Sequence, residues 1–225
     1  MIFKLTVKIP FKIYIEKVEE LNMIEIFKQI SLYRFLMYCN DTNMEKVVLD
    51  CGAGGDCPPL ALFYEYEYLT NGIEMDLGQI EKANNYAKKN GQQLKIGQGD
   101  MRKLNFDNEY FSFVYSYNSV FHMSKEDVLR SVNEMKRVLK PKGLLFVNFL
   151  TVNDFRCGTG VDLGKNQYEQ FDDDIPVIHS YFEESEADKY FEDMKILYKE
   201  NRVLERIFEG EMIRQAFVDY IVEKI

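Results

Sequence analysis

Short apolar runs alternate with helix-patterned segments between residues 46 and 150, and this rhythm limits the folds open to the chain. The segment KVVLD at 46–50 has the short continuous apolar run of a strand that a parallel sheet buries on both faces. Such alternation requires a parallel sheet with helices on both faces and right-handed crossovers. The predicted strands are 46–50, 71–75, 93–97, 110–117 and 144–150, and the predicted helices are 24–39, Pro58 to about Thr70, Asp76 to about Asn90, and Ser124 to about Leu139.

The regions outside this alternating core have other roles. Residues 1–45 are predicted to be an N-terminal preface, in which apolar spacing indicates an amphipathic helix at 24–39. Residues 46–225 are predicted to form the main domain. Within it, the stretch 151–180 shows no regular period and is expected to be an irregular segment near the substrate.

The C-terminal part of the chain changes character again. A helix is predicted near 183–193, and the segments 195–208 and 214–224 flank the turn sequence EGE as an antiparallel hairpin would. The stretch 212–224 also fits a helix. We therefore predict an α/β protein with a Rossmann-like, mostly parallel, seven-stranded sheet, helices on both faces and a C-terminal antiparallel hairpin.

The composition argues against several kinds of partner. A formal net charge of −9 repels the phosphates of nucleic acid, so we predict no nucleic-acid binding. No apolar run approaches the roughly eighteen residues of a transmembrane helix, so we predict no membrane partner. Four cysteines occur without a CxxC pair, which predicts a reduced cytoplasmic protein.

A metal centre is one alternative use of the cysteines and histidines. Cys51, Cys57, His122 and His179 offer ligand atoms, but their spacing matches no zinc pattern. Isolated cysteines are usually small buried hydrophobes. The sequence therefore predicts no metal site.

Carboxylates stand at the ends of three successive predicted strands. Asp50 ends the first strand, Glu74 lies at the end of the second, and Asp100 follows the third. Ligands of open α/β sheets bind at the carboxyl ends of the strands, so these residues are expected around one ligand. Their charge decides what that ligand is.

A dinucleotide is a poor match for this edge of the sheet. The loop after the first strand has Gly52 and Gly54, but Cys57 stands where the third glycine of the dinucleotide fingerprint belongs. Asp50 and Asp56 would lie beside two phosphates, at a cost of about 4 kcal/mol for each like-charge contact at ~4 Å and an effective dielectric near 20. These charges disfavour a dinucleotide at this loop.

A cationic ligand without phosphate resolves the conflict. S-adenosylmethionine carries an ammonium, a sulfonium, a ribose diol and an adenine amino group, and each favours an acceptor. Asp50 suits the cationic amino-acid end, Glu74 suits the two ribose hydroxyls, and Asp100 suits the adenine amino group. The glycines let the backbone approach closely.

Four segments within 46–150 carry a resemblance to a known family. They read VVLDCGAGG, GIEMDLGQIEKA, GQGDMRKLNFDNEYFSFVYSYNSVFHM and VLKPKGLLFVNF. The chain resembles the class I S-adenosylmethionine-dependent methyltransferases, of the small-molecule type related to the ubiquinone and menaquinone biosynthesis enzymes. The family commonly has a further glycine where this chain has Asp56, which bears on the loop's geometry.

This resemblance implies S-adenosylmethionine as cofactor and assigns the residues around it. Asp50, Gly52 and Gly54 are expected at the methionine part, and Glu74 at the ribose. Met75 is expected to pack on the adenine. Asp100 and the backbone of Met101 are expected to read the adenine edge, and Ser116 to lie beneath the methionine end.

The expected reaction is in-line methyl transfer to a small-molecule acceptor, which depends mainly on positioning and exclusion of water. His122 is a candidate general base, and His179 a weaker one. Arg34 is a candidate partner for the cofactor's carboxylate, and Tyr117 for a position facing the site. The alternatives are a non-catalytic cofactor-binding domain and, more remotely, a dehydrogenase.

Two segments are expected to close the pocket: the N-terminal helix, with Tyr33 and Arg34, and the irregular stretch 151–180. Asp172, Asp173 and Asp174 lie in that stretch and indicate a solvated loop or attraction for a cationic substrate.

Overall fold

A computed structural model describes residues 30–172 and 174–225, and the first part of the N-terminal preface lies outside the described residues. The helices are α1 (Ile30–Asn40), α2 (Leu60–Glu65), α3 (Leu77–Lys89) and α4 (Lys125–Val138), with a short 3-10 helix at Glu186–Phe191. The strands are β1 (Val47–Cys51), β2 (Leu69–Glu74), β3 (Ile96–Gln98), β4 (Phe111–Ser116), β5 (Leu139–Thr151), β6 (Val161–Gly164), β7 (Gln167–Asp172), β8 (Ile175–Phe182), β9 (Met194–Phe208) and β10 (Glu211–Lys224).

The predicted parallel sheet and its C-terminal hairpin are confirmed. β1 to β5 lie side by side in the order β3-β2-β1-β4-β5, all parallel. β10 adds antiparallel to β5, and β9 pairs antiparallel with β10, so 212–224 is a strand rather than a helix. These seven strands correspond to the predicted ones, but the predicted number is too low because the whole sheet has ten strands.

Both faces of the sheet are buried, which explains the continuous apolar runs. Successive residues of β1 illustrate this, because Val48 packs with α1 and α2 on one face and Leu49 packs with α4 on the other. Both side chains are fully buried. The prediction of helices on both faces is therefore confirmed.

Two predicted helix starts are confirmed by their side-chain caps. Asp76 accepts a hydrogen bond of 2.8 Å from the Gln79 backbone N–H, and Ser124 accepts one of 3.2 Å from that of Asp127. These caps satisfy backbone donors that the first helical turn leaves free.

The helix after β1 is shorter than predicted. It ends at Glu65 instead of about Thr70, because Glu67 adopts a left-handed conformation with a φ of 64°. This residue reverses the chain direction, and β2 then begins at Leu69, which pairs with Val47 of β1. The predicted helix near 183–193 is likewise reduced to the 3-10 helix Glu186–Phe191.

The expectation that 151–180 is irregular is wrong. This stretch contains β6, β7 and most of β8, which extend the sheet to ten strands. The turn between β6 and β7 has two left-handed residues, Lys165 and Asn166, as tight hairpin turns require. β6 has only four residues, VDLG, and all of them are exposed, so its one short alternation of apolar and other residues is too brief to mark a strand.

The position of β8 brings this extension to the strand tips. β10 pairs with one edge of β5 from Leu144 to Leu150. β4 pairs with the other edge, but it ends at Ser116, opposite Val147. β8 pairs with Leu150 and Thr151 on the edge that β4 leaves open. The three added strands therefore stand beside the carboxyl ends of the parallel strands. Among the described residues, no helix is long and apolar enough to cross a membrane.

Candidate active site

The glycine loop after β1 forms the floor of an open cleft. The backbone N–H groups of Gly52 and Ala53 both donate to the Ile73 carbonyl at 2.9 Å, which ties the loop to the end of β2. Gly52 has a φ of 106°, and a Cβ atom there would collide with Ser119. A Cβ atom at Gly54 would lie 2.6 Å from the Gln79 Cβ. The loop thus needs glycine at both predicted positions.

This main cleft has a volume of about 480 Å³. Its walls are the glycine loop, Glu74 at the tip of β2, Gln79 in the first turn of α3, the segment 117–119 after β4, and His122. Glu74 and the two predicted glycines are therefore brought together, and Tyr117 faces the cleft as expected.

The carboxylate of Glu74 is oriented by the backbone. Its Oε1 accepts hydrogen bonds from the N–H groups of Met75 at 2.8 Å and Asp76 at 3.0 Å. Its Oε2 lies 3.1 Å from the place where a Cβ of Gly54 would sit. One oxygen is thus anchored and the other is directed over the glycine loop.

Asp50 lies behind this cleft rather than at its rim. Only 1% of the residue is exposed, and its Oδ2 makes no hydrogen bond. Burial raises its pKa to about 8; the neighbouring Tyr115 hydroxyl opposes the rise, and the negative charge of Glu74 adds to it. A buried acid with an unpartnered oxygen is costly unless a ligand or a proton compensates it.

Asp100 is separated from the other two carboxylates. It lines a different cavity, of about 280 Å³, beside β3. The guanidinium of Arg102 holds it with a contact of 2.7 Å from Nη2 to Oδ2, and reaches Asp127 with its Nη1 at 3.1 Å. The hydrogen bond from Arg102 lowers the pKa of Asp100. Sequence spacing predicted one cluster of three acids, whereas the structure pairs this acid internally.

The remaining predicted cofactor residues differ in accessibility. Met75 is 54% exposed at the tip of β2. Met101 is buried in the core, with its Cε 3.8 Å from the Cβ position of Gly52. Ser116 is fully buried at the end of β4, and its hydroxyl makes no hydrogen bond.

A second, smaller cavity adjoins the main cleft. This side cavity has a volume of about 180 Å³ and shares Asn118 and His122 with the cleft. Its lining combines three phenylalanines with several polar side chains. It includes Phe121, Phe155, Phe217, Asp154, Arg156, His179 and Gln215.

The two histidines meet at this cavity, although they are far apart in sequence. Their rings pack edge to face with centroids 4.6 Å apart. Burial lowers the pKa of His122 to about 4, with a smaller contribution from His179, although 37% of the side chain stays open to the cavity. Burial likewise lowers the pKa of His179, against the opposing effect of Asp172. Both imidazoles are neutral at neutral pH.

Two expectations about charged residues are corrected here. Asp172 does not lie in a solvated loop: it ends β7, and the Nη1 of Arg156 donates to its Oδ1 at 2.7 Å. Arg34 is bound to Glu200 at 2.6 Å and stacks on Tyr198 at 4.4 Å from the ring centre, so it belongs to the packing of α1 on β9.

Three residues with hydroxyl or amide side chains line the cleft but were not predicted as site residues: Gln79, Asn118 and Ser119. Asn118 follows the tip of β4 and exchanges amide hydrogen bonds with Asn148, at 2.7 Å and 2.6 Å. Because ligands of such sheets bind at strand tips, the two residues after YSY were open to the same argument as Asp50.

Comparison with known proteins supports the resemblance found in the sequence. The methyltransferase domain model matches residues 49–147, which run from β1 into β5 and include the residues that line the main cleft. The predicted resemblance to the class I S-adenosylmethionine-dependent methyltransferases is confirmed over this part of the chain. Among solved structures, the chain is similar to a SAM-dependent methyltransferase from Methanosarcina mazei, with 20% identity and a TM-score of 0.66 over 90% of this chain and 99% of that one. A protein from Pyrococcus horikoshii has 18% identity and a TM-score of 0.67, covering 87% and 88%.

The curated relatives of this chain are longer proteins. The sterol 24-C-methyltransferase of Candida albicans is 32% identical over 69% of this chain and 42% of its own length. The Kluyveromyces lactis enzyme is 29% identical over 65% and 40%. The chain therefore spans less than half the length of these relatives.

The residues present fit the cofactor that the family implies. The glycine loop lacks side chains, so a cofactor can lie close to the backbone of the loop. Side-chain oxygens of Asp50 and Ser116 that make no hydrogen bond lie behind the loop, where they would stabilise the cationic amino-acid group of the cofactor. Glu74 offers a carboxylate oxygen at the ribose position of nucleotide folds. S-adenosylmethionine supplies an electrophilic methyl group when it binds.

Proposed function

We propose that this protein is a methyltransferase, which transfers the methyl group of S-adenosylmethionine to a small polar acceptor held in the side cavity. The observation that carries the proposal is the shared wall: Asn118 and His122 line both the main cleft and the side cavity. A cofactor in the main cleft would thus present its methyl group to an acceptor in the side cavity. In-line placement of the two reactants is the main source of rate in such a displacement.

The cofactor contacts follow the sequence prediction. Asp50, Gly52 and Gly54 hold the methionine part, with Ser116 beneath it, and Glu74 binds the ribose hydroxyls. A second group of contacts surrounds the adenine. Met75 packs on its face, the Met101 backbone reads its edge, and Asp100 accepts from its amino group while it stays paired with Arg102.

The chemical character of the side cavity favours a polar acceptor. The relatives are named for sterols, which need a large apolar groove, whereas this cavity is lined by Arg156, His179 and Gln215 besides its phenylalanines. Its volume of about 180 Å³ is also below the range of about 300–1,000 Å³ typical of sites for drug-sized ligands. A small oxygen or nitrogen nucleophile suits it best.

We also propose a cytoplasmic location and no nucleic-acid or membrane partner. Buried thiols at Cys39 and Cys51 support a reducing compartment, and the net charge of −9 supports the absence of nucleic-acid binding.

Calorimetry and a labelled-methyl assay test this proposal. We expect micromolar binding of S-adenosylmethionine and of its demethylated product, and none of NAD. Glu74→Ala should weaken binding, whereas Glu81→Ala, which removes an exposed acid from α3, should not. Label should pass to small phenols, carboxylic acids or amines and not to a sterol. Methylation of the sterol alone would refute the acceptor class, and cofactor binding without any transfer would favour the non-catalytic alternative.

A further inference from the structure

We propose that His122, Asp172 and His179 form a binding site for a divalent transition-metal ion in the wall between the main cleft and the side cavity. The existence of the site rests on the geometry of these three residues. Its role in catalysis, described below, rests on the proposed function. Three separate elements supply the ligands: the loop after β4, the end of β7 and the middle of β8.

The donor atoms are spaced as ligands of one ion. The Nε2 of His179 lies 3.1 Å from Oδ2 of Asp172, and the Nδ1 of His122 lies 3.7 Å from the same oxygen. All three donor atoms lie within 4.8 Å of one another. Zinc bonds to nitrogen and oxygen of about 2.0–2.2 Å place neighbouring ligand atoms about 3–3.5 Å apart. Small side-chain rotations therefore complete the set.

Surrounding contacts hold two of these ligands in place. Arg156 donates to Oδ1 of Asp172 and leaves Oδ2 to face the histidines. Carboxylate ligands of metals commonly have such a hydrogen-bonded partner. His179 is only 1% exposed, and its backbone is fixed by pairing with Tyr168 across the β7–β8 hairpin.

The ion would bind the Nε2 atom of His179, which faces Asp172. The Nδ1 atom of the same ring is buried, makes no hydrogen bond with the described residues and would not contact the ion. The positive charge of Arg156 opposes cation binding, so we expect micromolar rather than tighter affinity.

Two histidines and one carboxylate leave at least one coordination position open, as catalytic zinc sites do. His122 and His179 both line the side cavity, so the open position faces the acceptor. An acceptor hydroxyl bound there loses its proton to solvent more readily, because the ion stabilises the oxyanion. The oxygen then forms a bond to the methyl carbon, the carbon–sulfur bond breaks, and its electron pair returns to sulfur as the thioether. The inferred acceptor is therefore an alcohol or phenol.

Titration of the chelator-treated full chain with Zn²⁺, and separately with Co²⁺, tests the site without cofactor. We expect one ion per chain by calorimetry and cobalt absorption bands of nitrogen and oxygen ligation. His122→Gln and Asp172→Asn should each weaken binding at least tenfold, while Asp174→Asn, the same change in the adjacent turn, should not. His122 is partly exposed, so its variant should keep the fold, which a thermal unfolding curve checks.

Absence of stoichiometric metal binding would overturn the inference. Metal binding that persists in both ligand variants would also overturn it, because thiols or surface carboxylates would then hold the ion. Cofactor calorimetry on the same samples separates the two proposals. Metal binding without S-adenosylmethionine binding contradicts the proposed function alone. Cofactor binding and methyl transfer that are unaffected by chelation, together with no metal binding, contradict the metal site alone.

Discussion

Asp50 and Tyr115 are paired in register on neighbouring parallel strands, and both are fully buried with an oxygen that makes no hydrogen bond. Burial, the larger effect, raises the pKa of Asp50, whereas the neighbouring Tyr115 hydroxyl lowers it. Burial therefore dominates, and it holds the pKa of the Asp50 carboxyl at about 8 in the free protein. At neutral pH this acid is mostly protonated. A cation placed nearby would favour the ionised form.

The first prediction is that binding of S-adenosylmethionine releases a proton. Because the cofactor's positive charge lowers the pKa of Asp50, affinity should increase with pH between about 5.5 and 7.5, by up to tenfold per unit. Calorimetry in buffers of different ionisation enthalpy measures the proton released. Asp50→Asn serves as the control, because it binds with no such release. Equal proton release from wild type and variant would contradict the assignment.

A second prediction concerns stability in the absence of ligand. The folded pKa of Asp50, about 8, lies above the unfolded value of 3.8, so its contribution to stability is complete below pH 3.8 and is lost as pH rises towards 8. Asp50→Asn lacks this loss. The stability of the variant relative to wild type should increase by about 1.4 kcal/mol per pH unit across that window. Urea unfolding at pH 5 and pH 7.5 measures the difference. If the difference in unfolding free energy between variant and wild type is the same at both pH values, Asp50 is ionised in the free folded protein.

The third prediction tests the glycine loop. Gly54→Ala would place a Cβ 2.6 Å from Gln79 Cβ and 3.1 Å from the Glu74 carboxylate, and so push the cleft walls apart. We expect cofactor affinity to fall at least tenfold, which is about 1.4 kcal/mol. Gly97→Ala is the matched control, because a Cβ there meets no atom within 4 Å. Similar affinities for the two variants would show that the cofactor does not lie over this loop.

The parallel sheet and its helices were predictable from the sequence because each of these elements depends mainly on residues that are close together in the chain. A strand buried on both faces shows a continuous apolar run, and a helix start shows its cap, as Asp76 does. The tips of parallel strands must share one edge, which is why Glu74 and the glycines were placed together correctly.

Other features depended on contacts that no local pattern records. Arg102 folds back onto Asp100, and this pairing removes the acid from the predicted cluster. β6 has only four residues, so the alternation of Val161 and Leu163 with Asp162 and Gly164 is too short to identify a strand. His122 contacts His179 only because β8 lies beside the tip of β4. That position is set by the order of strands in the sheet, which no local sequence pattern records.

The last prediction concerns the buried acid that joins α1 to the C-terminal hairpin. Asp219 is 1% exposed, and it is neutralised by two contacts of 3.2 Å from Arg202 and a hydrogen bond of 2.6 Å from Ser31. Arg202→Met should cost about 3–5 kcal/mol, because it leaves a buried charge uncompensated. Arg214→Met removes an exposed pair with Glu205 on the same hairpin and should cost less than about 1 kcal/mol. Urea unfolding compares the two. Adding Asp219→Asn to Arg202→Met should recover most of the loss, since it removes the stranded charge, and failure to recover would assign the cost to lost packing instead.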